Sequence, residues 1–144
     1  MPVELGELTA AEVDDAAALW LEAGLVRPWN DPHADARRAL AAPAATIIAA
    51  RDAGRLVGTA MAGHDGHRGW VYYLAVAGDR QGEGISRQLM AAAEAWCAVA
   101  GMPRLNLMVR ADNAAVLGFY DALGYRRSDV AVLQKDLVPP AGRA

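Results

Sequence analysis

The chain has 144 residues, 54% of them hydrophobic and 22% charged, with a formal net charge of -3. That composition supports a well-filled core and excludes a disordered chain, and the length predicts one domain over residues 1–144. The acidic balance argues against a broad nucleic-acid surface. No apolar run approaches the ~18 residues that cross a bilayer. The single cysteine, Cys97, rules out an internal disulfide or a multi-cysteine metal site.

The start, "MPVELGELTAAE", shows neither a basic n-region nor an apolar h-region, so the expected compartment is the cytoplasm. "VELGEL" reads as a first strand. "TAAE" is a capping box, with Thr9 as N-cap and Glu12 reaching back. Val13, Ala16, Ala17, Trp20 and Gly24 then share one helical face. The prolines of "RPWNDP" end that helix, and Asp31-Pro32 supplies the cap and first turn of a second one, reaching about Ala41. "TIIAARD" and "RLVGTAMAGH" form a hairpin about Ala53-Gly54, and "HDGHRG" is a second turn. "WVYYLAV" is apolar on both faces: Trp70, Tyr72, Leu74 and Val76 on one, Val71, Tyr73 and Ala75 on the other. It therefore reads as a central strand covered on both sides.

Ile85, Leu89, Ala92, Ala93, Trp96 and Ala100 mark a third helix, stopped by Gly101 and Pro103. "RLNLMVR" is a fifth strand with Leu105, Leu107 and Val109 inward. Asp112 or Asn113 caps a short helix closed by Gly124. "YRRSDVAVLQKDL" predicts one or two final strands, and residues 138–144 a frayed tail. Trp20, Trp70, Trp96 and Cys97 read as core, and His33 as an exposed residue in a helix's first turn. No His, Asp and Glu set has metal spacing, so no metal is expected.

Strand, glycine turn and helix is a layout that binds phosphate, because the helix N-terminus offers unpaired N–H groups and partial positive charge. "QGEGIS" (residues 81–86) occupies that turn. No Lys follows its glycines, so it is not a Walker loop. Gln88 stands where a dinucleotide loop has its third glycine. The stretch resembles instead the acetyl-CoA loop [RQ]-x-x-G-x-[GA] of the GNAT superfamily of N-acetyltransferases. Gln81 and Gly84 match, and Ser86 departs from the usual Gly or Ala. "DNAAVLGFYDALGY" is similar to that family's later motif, and the order of elements follows it too. "RPWNDP" and "DGHRG" look similar to the YpeA-type branch of small bacterial acetyltransferases.

The resemblance implies an α/β (α+β) GNAT fold, order βααβββαβαβ(β). Its central mixed twisted sheet would have six or seven strands flanked by about four helices. It implies an enzyme that moves acetyl from acetyl-CoA to a primary amine of a small molecule or protein. A homodimer is compatible with it. A non-catalytic acyl-CoA-binding module and a nucleotide-binding regulator are the alternatives. The diphosphate would lie on the main chain of Gln81, Gly82, Glu83, Gly84, Ile85 and Ser86, with charge from Arg80 and Arg87. Glu83 must then face solvent or pair with an arginine. A main-chain N–H of Leu74, Ala75 or Val76, exposed by a bulge, would serve as oxyanion donor. Tyr120 would protonate the leaving thiolate, with core packing as its other reading. Asn113, two helical turns earlier, contacts the cofactor or only caps its helix. Arg27, Trp29, Asp31 and Tyr72 border the acceptor; for the first three, simple chain turning and core cover is the competing account. The base is open among Asp31, His64, His67, Tyr72 and a held water.

Overall fold

The computed structural model describes residues 2–139. Five strands, β1 (Glu4–Glu7), β2 (Ala45–Asp52), β3 (Arg55–His64), β4 (Gly69–Val76) and β5 (Leu105–Leu107), form one sheet in the order β1-β2-β3-β4-β5. The first four are antiparallel, and β4 pairs with β5 in parallel. Four helices complete the mixed α/β fold: α1 (Val13–Glu22), α2 (Pro32–Ala41), α3 (Ile85–Val99) and α4 (Ala114–Ala122).

Local chemistry sets most boundaries. The Thr9–Glu12 capping box is formed, with Thr9 N–H donating to Glu12 Oε1 at 3.0 Å. Asp31 Oδ1 accepts from the N–H groups of His33 and Ala34, both at 3.1 Å, and so starts α2. Ala53 and Gly54 turn the β2–β3 hairpin with φ of 49° and 84°.

Residues 58 and 59 of β3 face opposite sides of the sheet. A Cβ on Gly58 would touch Leu89 and Ile85 of α3 at 3.0 and 3.2 Å, whereas Thr59 Oγ1 accepts from Trp20 Nε1 of α1. Helix α3 thus covers one face and α1 the other, and the missing side chain at position 58 lets α3 sit close on β3. Buried Cys97 likewise fills the space over Gly69, where an added Cβ would come within 2.6 Å of its Sγ.

The expected sixth and seventh strands are absent among the described residues, and α4 is the last regular element. Residues 126–139 are exposed, including Leu133 at 91%. The alternation of Val130 and Val132 fits a strand, but a strand is stabilised by neighbours on its faces, and this segment buries none of its side chains. The fifth strand also spans three residues instead of the expected seven. Of the expected tail, residues 140–144 lie outside the described region. Trp20 is fully buried, but Trp70 and Trp96 are only half-buried. Trp70 keeps its indole N–H on Asp65 Oδ2 at the surface, which holds it out of the core. His33, expected exposed, is half-buried and lies 3.2 Å from Asp14.

One ion pair fastens the N-terminal segment to the sheet. Arg51 donates through Nε to Glu12 Oε2 at 2.7 Å and through Nη2 to Oε1 at 2.6 Å. These bonds hold the Glu12 carboxyl down at about 2, against an ordinary 4.5. A depressed carboxyl stabilises the folded state above its unfolded pKa and stops doing so as pH falls through the folded one. Of the order of 2–3 kcal/mol should therefore disappear between pH ~4.5 and ~2. Urea unfolding of Glu12→Gln should show a flatter acid limb than wild type across this window. Equal losses at pH 3 and pH 7 would remove the ion pair as its source.

Candidate active site

The site gathers where β4 ends. Its pairing with β3 shifts register between Thr59 and Met61: Thr59 lies opposite Ala75 and Met61 opposite Tyr72. Tyr73 and Leu74 therefore oppose Ala60 alone, which is a β-bulge. Tyr73 carries the kink with φ of 52°, a left-handed conformation that costs a non-glycine residue about 1–2 kcal/mol. Pairing of β4 with β5 ends at Val71, so beyond that point the two strands part. Ala77 N–H donates to Val57 O at 2.8 Å. By the alternation of an antiparallel ladder, Ala75 then faces β3, while Val76 N–H and C=O face the opening. The Val76 carbonyl is taken there by Gln81 Nε2 at 2.8 Å.

That bond ties the glycine turn to the strand. After a short 3-10 turn (Gly78–Arg80), Gly82 and Gly84 take φ of 79° and 81°, and Gly84 is the N-cap of α3. Helix α2 is capped by Asp31, and α4 by Asn113 Oδ1 accepting from Val116 N–H at 3.3 Å. For α3, no side-chain cap is found among the described residues, and its first turn holds no acidic residue. A 15-residue helix thus presents its amides and positive dipole end beside the open end of β4. A Cβ on Gly82 or Gly84 would meet nothing within 4 Å, so the protein itself leaves the space above the turn clear.

Glu83 does not disturb this field. Both its oxygens accept from Arg80 Nε, at 2.9 and 3.0 Å, and Arg80 Nη1 donates to Asp52 Oδ2 at 2.6 Å. Arg80, expected to lend charge to the cradle, is instead buried and engaged by these two carboxylates. Arg87 is exposed at the first turn of α3.

Tyr120, on α4, is 8% exposed and makes edge contacts with Phe119 and Tyr125. Burial pushes its phenol up to about 12, so it stays protonated at physiological pH. Tyr125 Oη donates to Glu94 Oε2 at 2.7 Å, which ties the end of α4 to α3. Asn113 serves as the cap of α4, one of its two expected roles.

On the α1 face, the "RPWNDP" loop is a turn closed by Asn30 N–H on Arg27 O at 2.9 Å. Arg27 Nη1 donates to Gly24 O at 2.9 Å and so finishes α1, while Asp31 starts α2. Trp29 is 47% exposed and does not cover the core. Tyr72 is 45% exposed, so β4 is not covered on both faces as its apolar pattern suggested. His64 ends β3, pairs in register with Gly69 and packs against Trp96. Five residues of strand, ~16 Å, separate Gly69 from Leu74, which sets His64 apart from the bulge. His67 is exposed in a turn organised by Asp65, which accepts from the N–H groups of His67 and Arg68 at 2.9 and 2.7 Å.

Thr59, Tyr73 and Asp35 also meet here, and apart from a threonine within the apolar run of β3 nothing in the sequence marks them as site residues. Tyr73 stacks on Trp20 with ring centroids 3.9 Å apart, and its hydroxyl donates to Asp35 Oδ2 at 2.7 Å. Burial, this bond and the charges of Asp35 and Asp31 all push the Tyr73 phenol upward. No group of three or more His, Cys, Asp or Glu side chains that could hold a metal ion occurs among the described residues. No described helix is long and apolar enough to cross a membrane.

The fold has solved counterparts. A structure of AAC(6')-Iy in complex with the bisubstrate analogue CoA-S-monomethyl-acetylneamine superimposes with a TM-score of 0.81 at 17% identity, over 96% of this chain and 100% of that one. A ribosomal-protein-alanine N-acetyltransferase from Brucella melitensis gives 0.75 at 19% identity, over 94% and 100%. At these identities the likeness concerns the fold. Sequence relatives lie nearer. Acetyltransferase YE1169 of Yersinia enterocolitica is 38% identical over 136 residues, covering 94% of this chain and 96% of its own. Acetyltransferase ECA0875 of Pectobacterium atrosepticum is 42% identical over 120 residues, covering 83% and 85%. The family model of the GNAT acetyltransferases matches residues 14–125. With that match and these relatives along most of its length, the chain belongs to the GNAT family and is an N-acetyltransferase.

Proposed function

We propose that the protein transfers acetyl directly from acetyl-CoA to a primary amine of a small molecule or a protein. One observation carries this reading. A glycine-led helix N-terminus without a side-chain cap stands beside a strand end that a bulge has separated from its neighbour. The amides of Gln81, Gly82, Glu83, Gly84, Ile85 and Ser86 cradle the pyrophosphate, with Arg87 adding charge. The pantetheine arm lies along the part of β4 that β5 leaves unpaired, as an added strand would.

The amine nitrogen attacks the thioester carbon. Ala75, expected among the possible oxyanion donors, faces β3 and is not available, so a main-chain N–H of Leu74 or Val76 stabilises the oxyanion, a contribution of ~3 kcal/mol where one such donor has been removed elsewhere. As the carbon–sulfur bond breaks, the thiolate takes the proton of Tyr120. A phenol near 12 is a weak acid for this, yet the same buried setting desolvates the thiolate and raises its basicity in parallel. The incoming ammonium is drawn by the carboxylates of Asp31 and Asp35, with Trp29, Tyr72 and the Arg27 turn bordering its path. It gives up one proton to water or Asp31 before attack, and the second proton, shed by the nitrogen after attack, restores the Tyr120 phenol. The shared hydrophobic cluster, which runs from Val3 to Tyr125, supports the reading of a single domain. The outer edge of β5 and exposed Val130, Val132, Leu133 and Leu137 favour self-association as a homodimer, which light scattering would detect. "RPWNDP" and "DGHRG" support placement in the YpeA-type branch.

Release of CoA thiol from acetyl-CoA, followed across an aminoglycoside, a polyamine and a peptide with a free N-terminus, tests the reading. Turnover should appear with at least one, and CoA should raise the melting temperature where ATP and NAD do not. Stabilisation by acetyl-CoA without turnover on any amine would favour a non-catalytic acyl-CoA binder. Stabilisation by ATP or NAD would favour a nucleotide-binding regulator.

A further inference from the structure

Thr59 is a polar side chain with 0% exposure in the middle of β3, packed beside equally buried Trp20. A hydroxyl in such a place is costly unless bonded, and valine would fill the same volume. Its one proton and an oxygen lone pair are both used. Thr59 Oγ1 donates to the carbonyl oxygen of Tyr73 at 2.9 Å and accepts from Trp20 Nε1 at 2.8 Å. In a regular ladder a backbone amide of the partner strand satisfies such a carbonyl. At the bulge, a side chain does so.

The carbonyl of Tyr73 and the N–H of Leu74 belong to one peptide unit. No cis peptide occurs among the described residues, so in this planar trans unit the N–H points opposite to the C=O. A bond that draws Tyr73 O toward Thr59 therefore aims Leu74 N–H away from Thr59 and β3. Tyr73 is held at its other end as well, by the Trp20 stack and by Asp35 on α2. Its left-handed backbone is thus gripped at carbonyl, ring and hydroxyl.

We propose that Thr59, oriented by Trp20, is a positioning residue for acetyl transfer. It sets the 73–74 peptide so that Leu74 N–H meets the thioester carbonyl oxygen. Thr59 itself touches neither cofactor nor acceptor. The inference rests on the reading of acetyl-CoA binding given above and adds to it what aims the amide.

The test uses acetyl-CoA carrying 13C at the acetyl carbonyl, bound to wild type, Thr59→Val and Thr59→Ser. In wild type the carbonyl stretch should move to lower frequency on binding, because a hydrogen bond polarises it. Thr59→Val should lose most of that shift and turn over roughly ten- to a hundredfold more slowly, less than the roughly hundred- to thousandfold cost of removing an oxyanion donor outright, because the amide is misaimed and not lost. Its dissociation constant for CoA should stay within about twofold, since the pyrophosphate cradle is untouched. Thr59→Ser, which keeps the hydroxyl, should restore shift and rate. A wild-type shift in Thr59→Val would overturn the proposal. Should Thr59→Val fail to fold, 15N spectra of the wild type decide. Leu74 should differ between acetyl-CoA and CoA saturation, and identical Leu74 shifts would overturn the proposal. Absence of any CoA binding by wild type would instead sink the underlying reading.

Discussion

Ser86→Glu should stabilise the protein slightly and weaken CoA binding about a hundredfold. Position 86 lies in the first turn of α3, where no acidic side chain stands and Gly84 leaves the amides without a side-chain cap. A carboxylate there complements the helix dipole and should add about 0.3–1 kcal/mol to folding stability. The same carboxylate would sit within several ångströms of a bound pyrophosphate. One charge pair at ~5 Å with an effective dielectric of ~20 repels by ~3 kcal/mol, roughly two decades in affinity. Ser86→Gln separates charge from size and should keep most of the affinity. Added salt should recover part of the loss for Glu and little for Gln. The measurement is calorimetry with CoA beside thermal unfolding of the same samples. If the turn were a plain surface loop, the stability gain would remain and the affinity loss would vanish.

Tyr120→Phe should lower kcat by about two orders of magnitude, the usual scale for a lost general acid, and leave CoA affinity within about twofold. The ring sits among Phe119 and Tyr125, and removing one oxygen keeps those edge contacts. Because burial holds the phenol up at about 12, the wild-type rate should show no basic fall from this group below pH ~10. Stopped-flow thiol release, with the dissociation constant measured separately, distinguishes acid from core residue. An unchanged kcat would leave Tyr120 as packing alone.

What the sequence made legible was local. Thr9 with Glu12, Asp31 with Pro32 and the glycines at 84, 101 and 124 act on neighbours within a few residues, so type and spacing suffice to place them. "QGEGIS" between an apolar run and a helical stripe falls in the same class, and the structure puts its two left-handed glycines at the helix start. The missed features depend on partners distant in the chain. Thr59 looks like any β-branched strand residue until Trp20 and Tyr73, 39 and 14 positions away, are brought to its hydroxyl. Arg80 reads as a phosphate ligand until Asp52, 28 positions earlier, is found on its guanidinium. "DVAVL" has strand composition, but composition does not say whether an edge is available, and residues 126–139 remain unpaired with the sheet. The apolar face of β4 suggested cover over Tyr72, whereas the bulge at Tyr73 interrupts the alternation on which that inference relied.

The central claim is that backbone amides at the start of α3 hold the pyrophosphate of CoA, and amide spectra of 15N-labelled protein titrated with CoA test it most directly. The largest changes should fall on Gly82, Gly84, Ile85 and Ser86, saturate with a single dissociation constant, and be absent with pantetheine, which lacks the pyrophosphate. Changes centred on another surface, or the same pattern with pantetheine, would contradict it.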